Sequence, residues 1–343
     1  MVIVGIFVFR LKTNNFQTGK EEAVMSELNV IFGTGPLAQA TMRALLKRGH
    51  TVKMINRSGK HPVEVPAGIE IIAGNAYSTE FTRNVTKGAT VVYQCAQPEY
   101  HEWVTKFPPL QAAILEGTAA NGAKLIVGEN LYMYGDTNGQ PLHEGLPHAA
   151  RTRKGKVRGE MANALMEAHR AGKVRVAMAR GSDFYGPGVL ESALGERTIV
   201  PLLQGKPAEV MGTLDLPHTY TYISDFGEAL AILGESDESL GQVWHVPNPP
   251  TLTQRELVTL FFKEAGLEPR FTVMGKLMML MGGLFIPAAR EMVEMAYEFD
   301  KPFVVESGKF VNTFGNIATP HDTAVKETIA WYREHLKSKK LKT

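Results

Sequence analysis

LNVIFGTGPLAQATMRALLK, residues 28–47, decides the fold. Residues 28–32 read as a buried strand, and Gly33 and Gly35 follow at once. Leu37, Met42, Leu45 and Leu46 then recur at helical spacing, with Gly49 placed to cap the helix. A strand, a glycine turn and a helix in that order make a phosphate cradle. Gly33 permits the tight turn, Gly35 lets the backbone approach a pyrophosphate, and the small Ala38 lets helix and strand pack closely. Free N–H groups and the helix dipole favour an anion at that helix start. Gly33, Thr34, Gly35, Pro36 and Leu37 are therefore candidate cofactor-binding residues.

Working outward, short apolar strands alternate with amphipathic helices. HTVKMI (50–55), IEIIA (69–73), ATVVYQC (89–95), KLIVG (124–128) and VRVAMA (174–179) read as strands, with helices expected over 108–121 and 152–171. The pattern predicts an α/β fold, a Rossmann-type doubly wound parallel sheet. After Gly188 the alternation breaks into a stretch rich in Gly, Pro and Leu (189–220). A helix is expected over 224–235, capped by Ser224 or Asp225, then a strand in GQVWHVPN (241–248). A further helix has a capping box at Thr253 and Glu256 and a stop at Gly266. Four units result: an N-terminal extension outside the fold (1–25), a nucleotide-binding domain (26–188 plus 215–248), a smaller, mainly helical substrate lobe (189–214 plus 249–320), and a C-terminal helix with a basic tail (321–343). Met274, Met278, Met279, Met281, Met292 and Met295 read as the packed inner face of that lobe, adaptable enough to line an apolar substrate pocket.

Composition bounds the function. The 343 residues include 44% hydrophobic and 21% charged side chains, which excludes disordered and collagen-like chains. A net charge of +2 argues against a nucleic-acid partner. One cysteine, Cys95, rules out an internal disulfide and fits the reducing cytoplasm. The most suspicious apolar run, Leu277 to Ala289, is too short and too glycine-broken to span a membrane, so no membrane association is expected. No grouping of His, Cys and Asp has the spacing of a metal site.

The cofactor's identity turns on the end of the second strand. An NAD site usually places an acid about 20 residues past the glycines, on the ribose hydroxyls. Between His50 and Val63 there is no Asp or Glu; the strand ends in Asn56-Arg57-Ser58. Arg57 can pair with a 2′-phosphate and Ser58 can add a hydrogen bond, where a carboxylate would repel it. NADP(H) is therefore preferred, with NAD(H) as the alternative.

Several further landmarks carry a resemblance. VVYQCAQPEY (91–100), GNAYS (74–78), LYMYGD (131–136), ARGSDFYGPG (179–188) and TYTYISDFGEAL (219–230) are similar to segments of the extended short-chain dehydrogenase/reductase superfamily, of the NAD-dependent epimerase/dehydratase type. The resemblance runs from about Leu28 to Glu334. It implies that Cys95, Ala96 and Gln97 touch the cofactor, that Asn75 and Ala76 stand on the adenine side, and that homodimers are common. It also implies a Ser, Tyr and Lys chemistry, which this chain holds incompletely. Lys156 fits the lysine place and would hold the nicotinamide ribose. The tyrosine place is Thr152, and the serine place is Asn130. The literal Tyr-x-x-x-Lys of Tyr297 and Lys301 lies in the wrong lobe and is a coincidence of spacing. The chain thus resembles an atypical member.

Reduction of a carbonyl leaves an alkoxide that needs a proton donor. Tyr132, Lys156 and Tyr185 are the candidates, in that order, with Asn130 able to bond a substrate oxygen. The leading reading is an NADP(H)-dependent, epimerase/dehydratase-like oxidoreductase acting on a small carbonyl or hydroxyl substrate. The alternatives are a non-catalytic NADP(H)-binding regulator or redox sensor, and a sugar-nucleotide epimerase.

Overall fold

The computed structural model describes residues 27–62, 65–275 and 293–340. The expected extension over 1–25 and four of the methionines, Met278, Met279, Met281 and Met292, lie outside the described residues. Six parallel strands come first: β1 (Leu28–Phe32), β2 (Thr51–Asn56), β3 (Glu70–Ala73), β4 (Val91–Gln94), β5 (Lys124–Glu129) and β6 (Arg175–Arg180). Four short strands follow: β7 (Asp183–Tyr185), β8 (Ala208–Met211), β9 (Pro217–His218) and β10 (Tyr220–Tyr222). Then β11 (Gln242–His245) completes a seven-stranded sheet in the order β11-β6-β5-β4-β1-β2-β3. Strand order reverses between β1 and β4, and in open α/β sheets the ligand crevice lies beyond the carboxyl ends of the strands at that point.

Helices cover both faces because the strands are apolar on both. Along β1, Ile31 packs with α1 (Pro36–Lys47) and α6 (Ile223–Glu235), whereas Val30 and Phe32 pack with α3 (Trp103–Ala120) and α4 (Arg153–Arg170). The first face gathers Met42, Leu45, Phe226, Leu230 and Trp244; the second gathers Phe107, Ile114, Met161 and Leu165. A separate apolar cluster joins Ile199, Val210, Tyr220, Phe261 and Tyr332. It unites α5 (Glu196–Leu203), α7 (Gln254–Ala265) and the helix His321–Lys340. Two minor pairs, β9 with β12 (Leu252–Thr253) and β8 with β13 (Phe271–Met274), border it.

The structure departs from the sequence expectations in three places. Helix α3 begins at Trp103 and carries Pro108 and Pro109 within it, because Trp103 and Phe107 bury one face of its first turns against the sheet. Helices α2 (Thr79–Val85) and α5 arise where the sequence pattern assigns no element. Ser78 caps α2 by accepting from Phe81 N at 3.3 Å, and Thr198, Ile199 and Leu202 bury α5 despite its Pro-containing context. Neither Ser224 nor Asp225 caps α6, whose N-cap is Tyr222. Asp225 instead accepts from Thr319 N at 2.8 Å and Thr319 Oγ1 at 2.5 Å, and burial pushes its carboxyl up to about 6. The capping box of Thr253 and Glu256 and the left-handed Gly266 form as expected.

Helices α1 and α6 touch through Gly227, where an added Cβ would lie 2.4 Å from the Ala40 carbonyl carbon. Gly227→Ala is expected to destabilise the protein by about 1–3 kcal/mol in urea denaturation, the range for overpacked cores. A stability equal to wild type would mean that the two helices separate at little cost.

Candidate active site

The glycine turn is built as a cradle. Gly33 has φ +113°, and an added Cβ would meet Ala96 N at 3.1 Å and the Cys95 carbonyl carbon at 3.2 Å. Both the left-handed backbone and the close approach of the chain leaving β4 therefore require glycine. Gly35 is the N-cap of α1; no side chain caps the helix, and no acid stands in its first turn. Open space lies where a Gly35 Cβ would be. Thr34 is held in place, its carbonyl accepting from Gln39 Nε2 at 3.0 Å and its hydroxyl from Asn56 Nδ2 at 3.4 Å. Pro36 sets the first helical φ, and the Leu37 side chain reaches under β5, where an added Cβ on Gly128 would lie 2.7 Å from it. Bare N–H donors, a helix dipole and room for the ligand backbone fit a dinucleotide diphosphate.

The turn after β2 is organised by one amide. Asn56 Oδ1 accepts from Ser58 N at 3.1 Å and Gly59 N at 2.6 Å, while its Nδ2 donates to Lys60 O at 2.9 Å. Arg57 and Ser58 are thereby left exposed at the strand's carboxyl end. On the adjoining loop Asn75 Oδ1 accepts from Tyr77 N at 3.0 Å, and Ala76 packs on the α3 side of the sheet. Cys95 lies beside the cradle, 3.8 Å from Thr41 Oγ1, and burial pushes its thiol up to about 12, so it stays protonated at neutral pH. Ala96 is half-buried and Gln97 exposed.

Beyond the ends of β4, β5 and β6 a polar cluster forms. Asn130 Oδ1 accepts from Tyr132 N at 3.3 Å and so shapes the turn that presents Tyr132. Tyr100 donates its hydroxyl proton to the Tyr132 oxygen at 3.4 Å, which leaves the Tyr132 proton for a further acceptor. Lys154, 2% exposed, places Nζ 4.4 Å from the Tyr100 ring centre and 3.5 Å from Glu294 Oε2. Asp183 bonds His218 Nε2 at 2.9 Å, and Glu298 is buried and accepts from Tyr297 Oη at 3.5 Å. Burial, then the Tyr100 phenol and the Glu298 and Asp183 carboxyls, push Tyr132 well above the usual phenol range. Burial likewise raises Tyr100, and Glu298 is raised by burial and by Asp183.

The other candidates are placed elsewhere. Thr152 is the N-cap of α4, accepting from Gly155 N at 3.2 Å, and so serves backbone rather than substrate. Lys156 is exposed and lines an open cavity with Met133, His148, Gly155, Glu160 and Asn163. Tyr185 is buried against Tyr222 and Phe261 in the core of the C-terminal cluster. Tyr100, Lys154, Asp183, Glu294 and Glu298 escaped the sequence reading. Only Lys154 carried a local signal: it shares a helix face with Val157, Met161 and Leu165, whereas Lys156 shares one with Glu160 and Asn163.

A parallel sheet in this order with a glycine cradle at its first turn defines a dinucleotide-binding protein of the extended Rossmann class. Residues 30–246, more than half the sequence, match the model of the NAD dependent epimerase/dehydratase family, and the chain belongs to that family. Solved structures agree in fold. UDP-N-acetylglucosamine 4-epimerase from Bacillus cereus superposes with a TM-score of 0.71 at 15% identity, covering 90% of this chain and 97% of that one. dTDP-glucose 4,6-dehydratase from Bacillus anthracis, in complex with NAD, gives 0.74 at 14% identity, covering 91% and 98%. UDP-glucose 4-epimerase from Thermus thermophilus, also with NAD, gives 0.69 at 16%, covering 89% and 99%. Among curated proteins no sequence matches. No described helix is long and apolar enough to cross a membrane.

A buried network braces the site. Arg180 Nη1 donates to Tyr134 Oη at 2.7 Å, so the Tyr134 proton goes to His245 Nε2 at 2.8 Å, and His245 Nδ1–H goes to Glu306 O at 2.9 Å. His245 is thus a neutral imidazole, and burial holds it below the usual histidine range. A histidine that refuses a proton when folded but accepts one when unfolded makes stability fall as pH drops. Urea midpoints should therefore decline below about pH 6.5, the unfolded histidine value. His245→Gln should flatten that part of the slope; an unchanged slope would place the titration elsewhere.

Proposed function

We propose that the protein is an NADP(H)-linked reductase of a small carbonyl substrate. The observation that carries the reading is the end of β2. Asn56 ties the turn so that Arg57 and Ser58 stand exposed beside the uncapped start of α1, with no acid between His50 and Val63. A guanidinium and a hydroxyl there suit a 2′-phosphate, where the family's NAD-binding members would present a carboxylate. Gly33, Thr34, Gly35, Pro36 and Leu37 would hold the diphosphate, Asn75 and Ala76 the adenine side, and Cys95, Ala96 and Gln97 the nicotinamide half. Bound there, the reduced cofactor supplies the two electrons and one hydrogen that convert a carbonyl to an alkoxide.

The chain's own part is the proton. Tyr132 stands beyond the end of β5 with its hydroxyl proton undirected among the described residues. Its raised titration keeps the phenol protonated near neutral pH, the form that can give a proton to an alkoxide. Asn130 holds the turn. The sugar-nucleotide activities named for the structural neighbours rest on folds under 25% identical and give this chain a class of chemistry, not a substrate. A second reading, a non-catalytic NADP(H) sensor, is supported by one observation: Thr152 is engaged as a helix cap and Lys156 is exposed.

Calorimetry separates these readings. NADPH is expected to bind at least tenfold more tightly than NADH, the worth of one charge-assisted contact of about 1.5–3 kcal/mol. Arg57→Asp should abolish or reverse that order; equal affinities in the wild type would overturn the NADP(H) assignment. NADPH oxidation over a panel of small aldehydes and ketones should show turnover. Tight NADPH binding without turnover would leave the sensor.

A further inference from the structure

We propose that Tyr132, Tyr100 and Lys154 form a proton relay that replaces the family's tyrosine–lysine pair, with Tyr132 as the donor to substrate and Tyr100 and Lys154 as positioning residues behind it. The inference rests on the reductase reading and deepens it. The three groups come from three elements: the loop after β4, the turn after β5 and the first turn of α4. Two contacts join them, 3.4 Å between the two phenol oxygens and 4.4 Å from the ammonium to the Tyr100 ring. Backbone packing fixes the arrangement. An added Cβ on Gly155 would lie 2.6 Å from the Tyr132 carbonyl oxygen, so the start of α4 rests directly on the Tyr132 turn. Glu294 holds Lys154 from the other side through both its side chain and its backbone N–H, the latter at 3.1 Å.

The direction of the hydrogen bond gives the order of transfer. As the carbonyl is reduced, the electron pair coming from the nicotinamide, the Tyr132 O–H breaks and the product O–H forms. The Tyr100 proton then passes to the Tyr132 oxygen, and negative charge rests on Tyr100. A cation over an aromatic face is attracted to it, more so when the ring is an anion and the site is desolvated. Lys154 thereby stabilises the state in which the relay has fired, and a proton from solvent restores Tyr100 after product leaves. The surrounding carboxyls of Asp183, Glu294 and Glu298 oppose a standing phenolate, so the relay rests protonated.

The test uses the full chain with NADPH and the aldehyde that the panel identifies. Tyr132→Phe should lower kcat by about a hundredfold or more, and Tyr100→Phe and Lys154→Met by about tenfold, with KM little changed, as for loss of general-acid assistance. Lys154→Arg should restore most of the rate, because it keeps the charge over the ring. NADPH affinity, measured by calorimetry, should stay at the wild-type value in every variant and so report an intact fold. A readout without turnover runs alongside: 19F NMR of protein labelled with 3-fluorotyrosine, with the two resonances assigned from the Tyr100→Phe and Tyr132→Phe spectra. Lys154→Met should shift the Tyr100 resonance, and Tyr100→Phe the Tyr132 resonance. Wild-type kcat in Lys154→Met, or a loss confined to Lys156→Met, would overturn the relay and leave the reductase reading standing. Should no aldehyde turn over, the reductase reading fails, and unshifted fluorine resonances would then sink the relay on their own.

Discussion

Glu129 carries a carboxylate with no solvent contact at the carboxyl end of β5, held by Arg158 at 3.2 Å and by Arg180 at 3.0 Å. Two guanidiniums on one carboxylate link the end of β5 to α4 and to the end of β6. Removing one partner from such a buried group typically costs about 3–5 kcal/mol, because the remaining charge is left without water or counter-ion. The consequence for the site is rotational. Arg158 can reach Glu129 only when its face of α4 is turned to the sheet, and Lys154, one helical turn earlier, is carried inward with it. Lys156, two residues from each, is carried outward by the same constraint. Which of the two lysines is buried is thus set by a carboxylate that touches neither.

The network continues without a gap. Arg180 also donates to Tyr134, Tyr134 to His245 and His245 to the Glu306 carbonyl, while Arg180 Nη2 meets His148 Nε2 at 3.1 Å. Every proton in that chain has one direction, since an arginine can only donate. The ends of β5, β6 and β11 are therefore locked in register where the chain turns toward the candidate site. Rigid strand ends matter there, because a donor displaced by an ångström loses much of its effect on a reacting atom.

What the sequence disclosed follows the range of the interactions. The cradle was legible because its determinants, Gly33, Gly35, Ala38 and the helical Leu37, Met42 and Leu45, lie within 13 consecutive residues. The capping box at Thr253 and Glu256 was legible for the same reason. The α6 cap was not: Asp225 looked like a cap on spacing alone, but Thr319, 94 residues away, takes both its oxygens. Tyr100 gave no signal, since its contact with Lys154 forms only when α4 arrives beside a loop 54 residues earlier in the chain. Lys154 was readable in principle, as its helical face is apolar; the family spacing drew attention to Lys156 instead.

Thr152 and Asn130 are coupled through backbone. A threonine at position 152 accepts a hydrogen bond from the first turn of α4, which a tyrosine cannot do, and such caps are worth about 1 kcal/mol. An asparagine at position 130 accepts from the Tyr132 N–H, a local bond that draws the chain into a tight turn right after β5. The cap begins α4 at Arg153, so that Gly155 packs on the carbonyl of Tyr132; the turn sets where that carbonyl, and hence the phenol, lies. Both side chains organise the main chain. A phenol from the turn they shape then stands beyond the strand ends. On the proposed reading the donor is relocated to that phenol rather than removed.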